Sequence, residues 1–127
     1  MHKKCLKMKF FHMIRDVLEN HEALGLSMAD KKKFLNLKVN TKKSMIQNMC
    51  ESKLIVVDMM ARLWENPISL TEVNKLIDKK YDIKKKNMKM LVQAFASFKK
   101  MLNEEQMHKL KRICREQRHE EESACCR

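Results

Sequence analysis

Apolar residues recur every three or four positions along most of the chain, the spacing of amphipathic helices. A run of four aliphatic residues, 54–57, lies within this longer helical pattern, and we interpret it as buried helix instead of strand. Gly25 stands where a left-handed residue ends a helix at little steric cost. The pattern predicts four helices, spanning Leu6–Leu24, Met28–Trp64, Leu70–Met101 and Glu104–Arg118.

Each predicted helix after the first begins with a residue pair typical of a capping box. In such a pair, a short polar side chain accepts a hydrogen bond from the first turn, and a residue three positions later returns one. Pro67 precedes one of these pairs and ends the helix before it. The pairs are Ser27 with Asp30, Ser69 with Glu72, and Asn103 with Gln106.

The composition favours one all-α domain over the 127 residues, since 44% are hydrophobic and the chain holds one Gly and one Pro. We expect a helical core over residues 6–118 and a polar C-terminal tail, 119–127, that frays. The short connection at 65–68 predicts that the long helices 2 and 3 form an antiparallel hairpin, with helices 1 and 4 shorter. Because residues 54–57 point almost all the way round helix 2, we expect a second contact surface and an antiparallel or intertwined homodimer.

The chain is strongly basic, with 28 Lys and Arg against 16 Asp and Glu and a net charge of +12. Such a surface attracts anions, whether nucleic acid, acidic lipid or acidic protein. We expect no membrane span, because no apolar run reaches the ~18 residues that crossing a bilayer needs. The first nine residues are basic, as in a signal peptide, but no small-residue cleavage site follows. We therefore expect either a cytoplasmic protein or one whose leader has been removed.

The sequence gives little sign of catalysis or of a disulfide framework. A Gly-rich phosphate loop, a nucleophile elbow and an HExxH motif are all missing from the sequence, so we expect no enzyme. The five cysteines are odd in number and do not suggest a disulfide framework. We expect Cys50, inside helix 2, to be a small buried hydrophobe, and most of the twelve methionines to fill the core or a dimer interface.

Three segments together resemble the LTxxQ, or Spy-like, family of periplasmic chaperones and heavy-metal resistance proteins. They are Leu24-Gly25-Leu26-Ser27, the Asn66-Pro67 turn with Leu70 to Val73 after it, and Leu102-Asn103-Glu104-Glu105-Gln106, and the resemblance covers residues 14–113. The family motif is Leu-Thr-x-x-Gln. Here Ser27 and Asn103 replace its Thr, Gln106 keeps its Gln, and Asp30 or Lys31 stands at the first Gln position. The resemblance implies a long curved helical hairpin that dimerises into a cradle, and a periplasmic location.

One branch of this family senses or buffers metal ions. Of its nickel and cobalt site only His21 is retained here, and we interpret it as a partly exposed surface histidine. The zinc-associated branch carries His and Cys on tails outside the helical core, which this chain also has. We therefore expect a metal-sensing or metal-buffering protein that binds Zn²⁺, or else Ni²⁺, Co²⁺ or Cu⁺. The candidate ligands are His2, Cys5, His21, Cys114, His119, Cys125 and Cys126.

Two alternatives stay open. The other branch of the family binds unfolded proteins without ATP on a basic, partly apolar concave surface. The candidate client-binding residues here are Lys42, Lys43, Lys84, Lys85, Lys86, Met88, Lys89 and Met90. The second alternative is a small cytoplasmic metal-responsive regulator that binds DNA, although the sequence has no recognisable helix-turn-helix.

Overall fold

A computed structural model describes the backbone from Cys5 to Cys125 and the side chains from Cys5 to Glu120. Over this range the chain is all-α, and α2 and α3 pack closely against each other as a long helical hairpin. The predicted fold class is therefore confirmed, with α1 and α4 as the two shorter helices. The four helices are α1 (Leu6–Glu19), α2 (Met28–Leu63), α3 (Leu70–Lys100) and α4 (Glu104–Cys125).

Two of the predicted capping boxes are complete. Ser27 Oγ accepts the Asp30 N–H at 3.1 Å, and Asp30 Oδ2 accepts the Ser27 N–H at 3.3 Å. Asn103 Oδ1 and Gln106 Oε1 make the corresponding bonds at 2.8 and 3.0 Å. These side chains satisfy backbone donors that have no partner inside the first helical turn, so the sequence alone locates both helix starts.

The third predicted box, at the start of α3, is looser. Ser69 Oγ accepts the Glu72 N–H at 3.4 Å. The Glu72 carboxylate lies 3.6 Å from Lys75 Nζ, one turn further along the helix. Ser69 thus acts as the predicted cap, while the carboxylate of Glu72 faces a neighbouring ammonium group.

The predicted end of the first helix is wrong by five residues, because α1 ends at Glu19 instead of Leu24. Asn20 ends it early: its backbone N–H and its Nδ2 both donate to the Asp16 carbonyl, at 3.1 and 2.8 Å. A separate turn follows. Gly25 has φ +70° there, and the bonds Leu26 N–H to His21 O and Gly25 N–H to Glu22 O form a Schellman motif. The left-handed role of Gly25 is therefore confirmed, in a turn of its own.

The predicted end of the last helix is also wrong, because α4 continues past Arg118 to Cys125. The polar tail that we expected to fray is helical over residues 119–125. Most of residues 116–122 are Glu, Gln or Arg, which are strong helix formers and favour continuation once the helix is nucleated. Residues 126 and 127 lie outside the described chain.

The described chain divides into two compact units. The first holds the residues up to Val39 and those from Gln93 onward, and the second holds Asn40–Val92. The single domain stays a prediction, because compactness alone does not establish how many parts fold independently.

The first unit contains the main hydrophobic core, built from all four helices. Phe10, Phe34 and Phe98 are at most 1% exposed. The ring centroids of Phe34 and Phe98 are 5.6 Å apart, and those of Phe10 and Phe98 are 6.3 Å apart, both edge-to-face. Such pairs add to the free energy gained from burial. The other buried members of this core are Ile14, Val17, Leu24, Leu26, Ala94, Leu102 and Leu110.

The second unit has only one covered seam, between the middle of α2 and the first part of α3. The α2 residues covered by α3 are separated alternately by four and three residues, which is the spacing of a coiled coil. Asn48 Nδ2 donates to Asn87 Oδ1 across this seam at 2.7 Å. Because any shift of one helix along the other would break this bond, the Asn pair favours a single register. The positions that follow this spacing are Thr41, Met45, Asn48, Ser52, Ile55, Met59 and Arg62, and Ser44 beside them is half-buried as well.

Candidate binding surface of the helical hairpin

The second unit, which we call the hairpin unit, exposes many large apolar side chains outside its seam. Trp64 is 87% exposed, Leu70 is 70% exposed and Leu54 is 66% exposed. Isolated exposed apolar residues are ordinary, but extended apolar patches mark binding surfaces. Other large exposed apolar side chains here are Ile46, Met49, Val56, Val57, Met60, Leu63, Ile68, Tyr81 and Met88.

Cys50 belongs to the same exposed set, so its predicted burial is wrong. It lies on the side of α2 that faces away from α3, where a two-helix hairpin offers nothing to cover it. The sequence pattern correctly marked α2 as apolar on more than one side. It did not show that one of those sides stays uncovered in the single chain.

A cleft of about 370 Å³ opens between α2 and α3 inside the hairpin unit. The Asn48–Asn87 pair and Ser52 line it beside the seam, and lysines and apolar side chains form its walls. Lys84 Nζ lies 5.9 Å from the centroid of the Tyr81 ring, within cation–π range. The full lining is Asn48, Met49, Ser52 and Lys53 from α2, and Lys80, Tyr81, Ile83, Lys84 and Asn87 from α3.

The cleft is positively charged, because Lys53, Lys80 and Lys84 line it and none of its lining residues is acidic. Around it, residues 40–92 hold eleven Lys or Arg against six Asp or Glu. Walls of low dielectric concentrate the field of such charges and raise the local concentration of anions. Met49 and Tyr81 add adaptable or aromatic contact area beside the ammonium groups. The arrangement suits a ligand that is apolar and carries negative charge.

The structure places all the predicted client-binding residues in this unit. Only Lys84 lines the cleft itself. Met90 is half-buried near the seam, and the rest lie exposed along α2 and α3: Lys42, Lys43, Lys85, Lys86, Met88 and Lys89.

The sequence reasoning missed the other eight residues that line the cleft, among them Met49, Lys53, Lys80 and Tyr81. The coiled-coil spacing of the seam was the signal that could have found them, since it fixes which α2 and α3 positions lie next to the covered stripe.

A second exposed apolar feature is a stripe on the side of α2 opposite the seam with α3. Ile46, Cys50, Leu54 and Val57 are all exposed and follow one another at steps of four, four and three. Residues at this spacing share one face of a helix. We call this set the α2 stripe.

The predicted metal ligands do not come together in the described part of the chain, which contains no cluster of three or more His, Cys, Asp or Glu side chains placed to hold a metal ion. Cys5 and His119 are exposed. His21 is half-exposed, as expected, and its Nδ1–H donates to the Leu18 carbonyl at 3.3 Å. His2 and Cys126 lie outside the described residues, as does the side chain of Cys125. Metal binding by the chain ends therefore stays a prediction.

Cys114, a predicted metal ligand, forms a hydrogen bond with a carboxylate instead. Its thiol donates to Asp16 Oδ2 at 3.1 Å, joining α4 to α1. Burial of the thiol, and then the hydrogen bond and negative charge of Asp16, raise the pKa of Cys114 to about 12. Metal ligation requires the thiolate, and this environment favours the thiol.

Asp16 itself is 3% exposed and has Arg15 Nη2 3.4 Å from its Oδ1. Its second oxygen accepts the Cys114 thiol, so both carboxylate oxygens have partners. This pairing stabilises a buried carboxylate and attaches α1 to α4, which is a structural role.

Within the described residues, no helix combines the length and the apolar character that a membrane span requires. The chain was compared with models of known protein families, with curated protein sequences and with solved structures, and none of the three comparisons gave a match.

Proposed function

We propose that the hairpin unit binds unfolded or partly folded protein segments without ATP, acting as a chaperone. The observation that carries this proposal is the cleft, where three lysines stand beside Met49 and Tyr81 on a surface that the chain itself does not cover. Unfolded segments expose apolar side chains that a folded protein hides. A surface of flexible methionines and mobile lysine stems adapts to many such shapes.

The positive charge of the cleft determines which unfolded proteins bind best. Opposite charges accelerate encounter and favour one class of partner, while apolar contact supplies most of the affinity once the partner is seated. We therefore expect acidic unfolded proteins to bind more tightly than basic ones. We also expect affinity to fall as salt rises, since exposed charges are screened over about 8 Å at physiological ionic strength.

The test is calorimetric titration with a reduced and carboxymethylated acidic protein, which stays unfolded without denaturant. The variant Lys53→Glu/Lys84→Glu reverses two charges of the cleft. We expect it to weaken binding by about tenfold, equivalent to about 1.4 kcal/mol.

The matched control is Lys32→Glu/Lys33→Glu, which changes the net charge equally at two exposed positions in the first turns of α2. Negative charge is tolerated there because the N-terminal end of a helix is partially positive. The control should bind as the unaltered protein does. Equal losses in both variants would assign the effect to net charge, and no binding by the unaltered protein would overturn the proposal.

We infer further that the α2 stripe pairs with the same stripe of a second copy, giving a homodimer. The stripe itself is free of charged residues, and the self-complementary arrangement of a twofold axis lets one apolar face cover another. The stripe shares no residue with the lining of the cleft.

Sedimentation velocity tests the dimer. Leu54→Asp places a charge in the α2 stripe and should shift the protein to monomer, whereas Val92→Asp, at a similarly exposed position of α3, should leave the dimer intact. Alkylation of Cys50 should also slow as protein concentration rises. A monomer at all concentrations, with Cys50 equally reactive throughout, would rule the pairing out.

A further inference from the structure

The end of the hairpin carries a compact group of exposed apolar side chains. Five large apolar residues between 60 and 70 are exposed, and the chain's single Trp is among them. We call this group the hairpin tip. Its members, with exposed fractions, are Met60 (54%), Leu63 (44%), Trp64 (87%), Ile68 (45%) and Leu70 (70%).

The charges at the hairpin tip are paired. Between residues 60 and 70 only Arg62 and Glu65 are charged, and Arg62 Nη1 lies 3.3 Å from Glu65 Oε1. The next charged residues on α3, Glu72 and Lys75, are 3.6 Å apart. A tip with paired charges can leave water at a lower cost than one with isolated charges.

Behind the tip the charge is strongly positive. Residues 40–59 and 71–92 together hold ten Lys against five Asp or Glu. The hairpin unit thus has an apolar, net-neutral tip followed by a basic region, residues 40–59 and 71–92, which we call the shaft. This order matches the cross-section of an anionic membrane surface, in which negative headgroups lie outside the apolar acyl region.

We propose that the hairpin tip inserts into the interfacial region of an anionic lipid bilayer, with the shaft lysines nearest the tip facing the headgroups. Trp64 is suited to this site because its indole ring is apolar over most of its area and keeps one N–H donor for the headgroup level. The four aliphatic neighbours supply the area that enters the acyl boundary.

A lipid surface fits this tip better than a second copy of the chain does. Pairing of two tips would bring two basic shafts together, whereas anionic headgroups neutralise the shaft charge. The apolar tip shares no residue with the cleft or the α2 stripe, whereas the basic shaft includes the cleft lysines Lys53, Lys80 and Lys84. Substitutions in the tip therefore test lipid binding without altering the cleft.

The experiment uses the full chain and vesicles of phosphatidylcholine with or without an equal part of phosphatidylglycerol. Trp64 is its own reporter, since no other Trp contributes to the emission. We expect a blue shift and quenching by brominated acyl chains with the anionic vesicles, and little change with the neutral ones.

The test variants are Leu63→Ser and Leu70→Ser, which remove apolar area and keep the reporter. The control is Val92→Ser, which is 55% exposed and lies roughly 33 Å along α3 from Leu70. We expect each tip variant to weaken vesicle binding by about tenfold and the control to leave it unchanged. Helical content by circular dichroism checks that the variants fold.

Three results would overturn the proposal. One is no blue shift with anionic vesicles. Another is an equal loss of binding in Val92→Ser. The third is a blue shift that grows with protein concentration without lipid, which would assign the tip to a second copy of the chain.

Discussion

At the residue scale, single polar side chains join parts of the chain that are far apart in sequence. Gln106 accepts the Asn103 N–H with its Oε1 and donates its Nε2 to the Leu24 carbonyl at 3.1 Å. One amide therefore caps α4 and holds the turn after α1. Gln106 thus has a specific structural role, which only a side chain with both an acceptor and a donor can perform.

Gln106→Glu separates those two roles. The carboxylate keeps the acceptor for the Asn103 N–H and loses the donor to the Leu24 carbonyl. We expect a loss of about 1 kcal/mol in the free energy of unfolding, the usual contribution of one hydrogen bond. Urea denaturation measures it, and Gln106→Ala should cost more because the bond that Gln106 Oε1 accepts from the Asn103 N–H is lost as well. Equal stability of Gln106→Glu and the unaltered protein would show that the contact to Leu24 contributes nothing.

Cys114 provides the second residue-scale prediction. Its pKa is raised to about 12, so at pH 8 it should hold about a thousandfold less thiolate than a thiol at the ordinary value of 9.0. We expect iodoacetamide to label exposed Cys5 rapidly and Cys114 very slowly, with the Cys114 rate rising as the pH approaches 12.

Timed alkylation followed by peptide mapping gives both rates. Asp16→Asn removes the negative charge beside the thiol and should speed the labelling of Cys114, although burial, the largest cause of the shift, remains. Labelling of Cys114 as fast as Cys5 in the unaltered protein would contradict the assigned environment.

At the element scale, the α2–α3 seam shows how polar residues specify a helical hairpin. Its apolar positions accept several registers, but the 2.7 Å bond between Asn48 and Asn87 exists in only one. Because Asn48 is 7% exposed, water cannot easily replace its partner. The pair should therefore contribute more to the choice of register than to overall stability.

Asn87→Ala should destabilise the protein by about 1–3 kcal/mol, because it leaves a buried amide without a partner. The double variant Asn48→Leu/Asn87→Leu should recover most or all of that stability. Chemical denaturation of the single and double variants measures the coupling. If the double variant were as unstable as the two single losses combined, the two amides would not be acting as a pair.

At the scale of the whole molecule, the two compact units differ in how fully they bury their side chains. The first holds three phenylalanines that are at most 1% exposed, whereas the buried apolar residues of the hairpin unit are 5–9% exposed. A seam between two helices protects its backbone less than a core enclosed by four. The functional surfaces that we propose all lie in the less protected unit.

This difference predicts a pattern of hydrogen exchange. Amides of α2 in the range 46–63 should exchange faster than those beside Phe10, Phe34 and Phe98, because opening the hairpin exposes less buried surface than opening the core. Exchange followed by mass spectrometry at low protein concentration, where the proposed dimer dissociates, makes the comparison. Uniform protection over the whole of α2 would contradict it.

The sequence alone determined the all-α class, the long hairpin, and the three helix starts marked by Ser27, Ser69 and Asn103. These features depend on local rules, since the period of apolar residues and a cap three residues away are both visible in a short window. The end of α1 was missed because the Asn20 side chain donates a hydrogen bond to the Asp16 carbonyl. Such a side-chain bond to the backbone is close in free energy to one more helical turn.

Only the tertiary structure decided which apolar faces are covered and what the polar side chains contact. The pattern around Cys50 is the same whether a partner helix covers it or not, so its exposure depends on how many helices are present at that level of the hairpin. The cleft likewise requires α2 and α3 in one register, and that register rests on two asparagines 39 residues apart. Contacts over such distances depend on how complete helices pack, which local sequence does not specify.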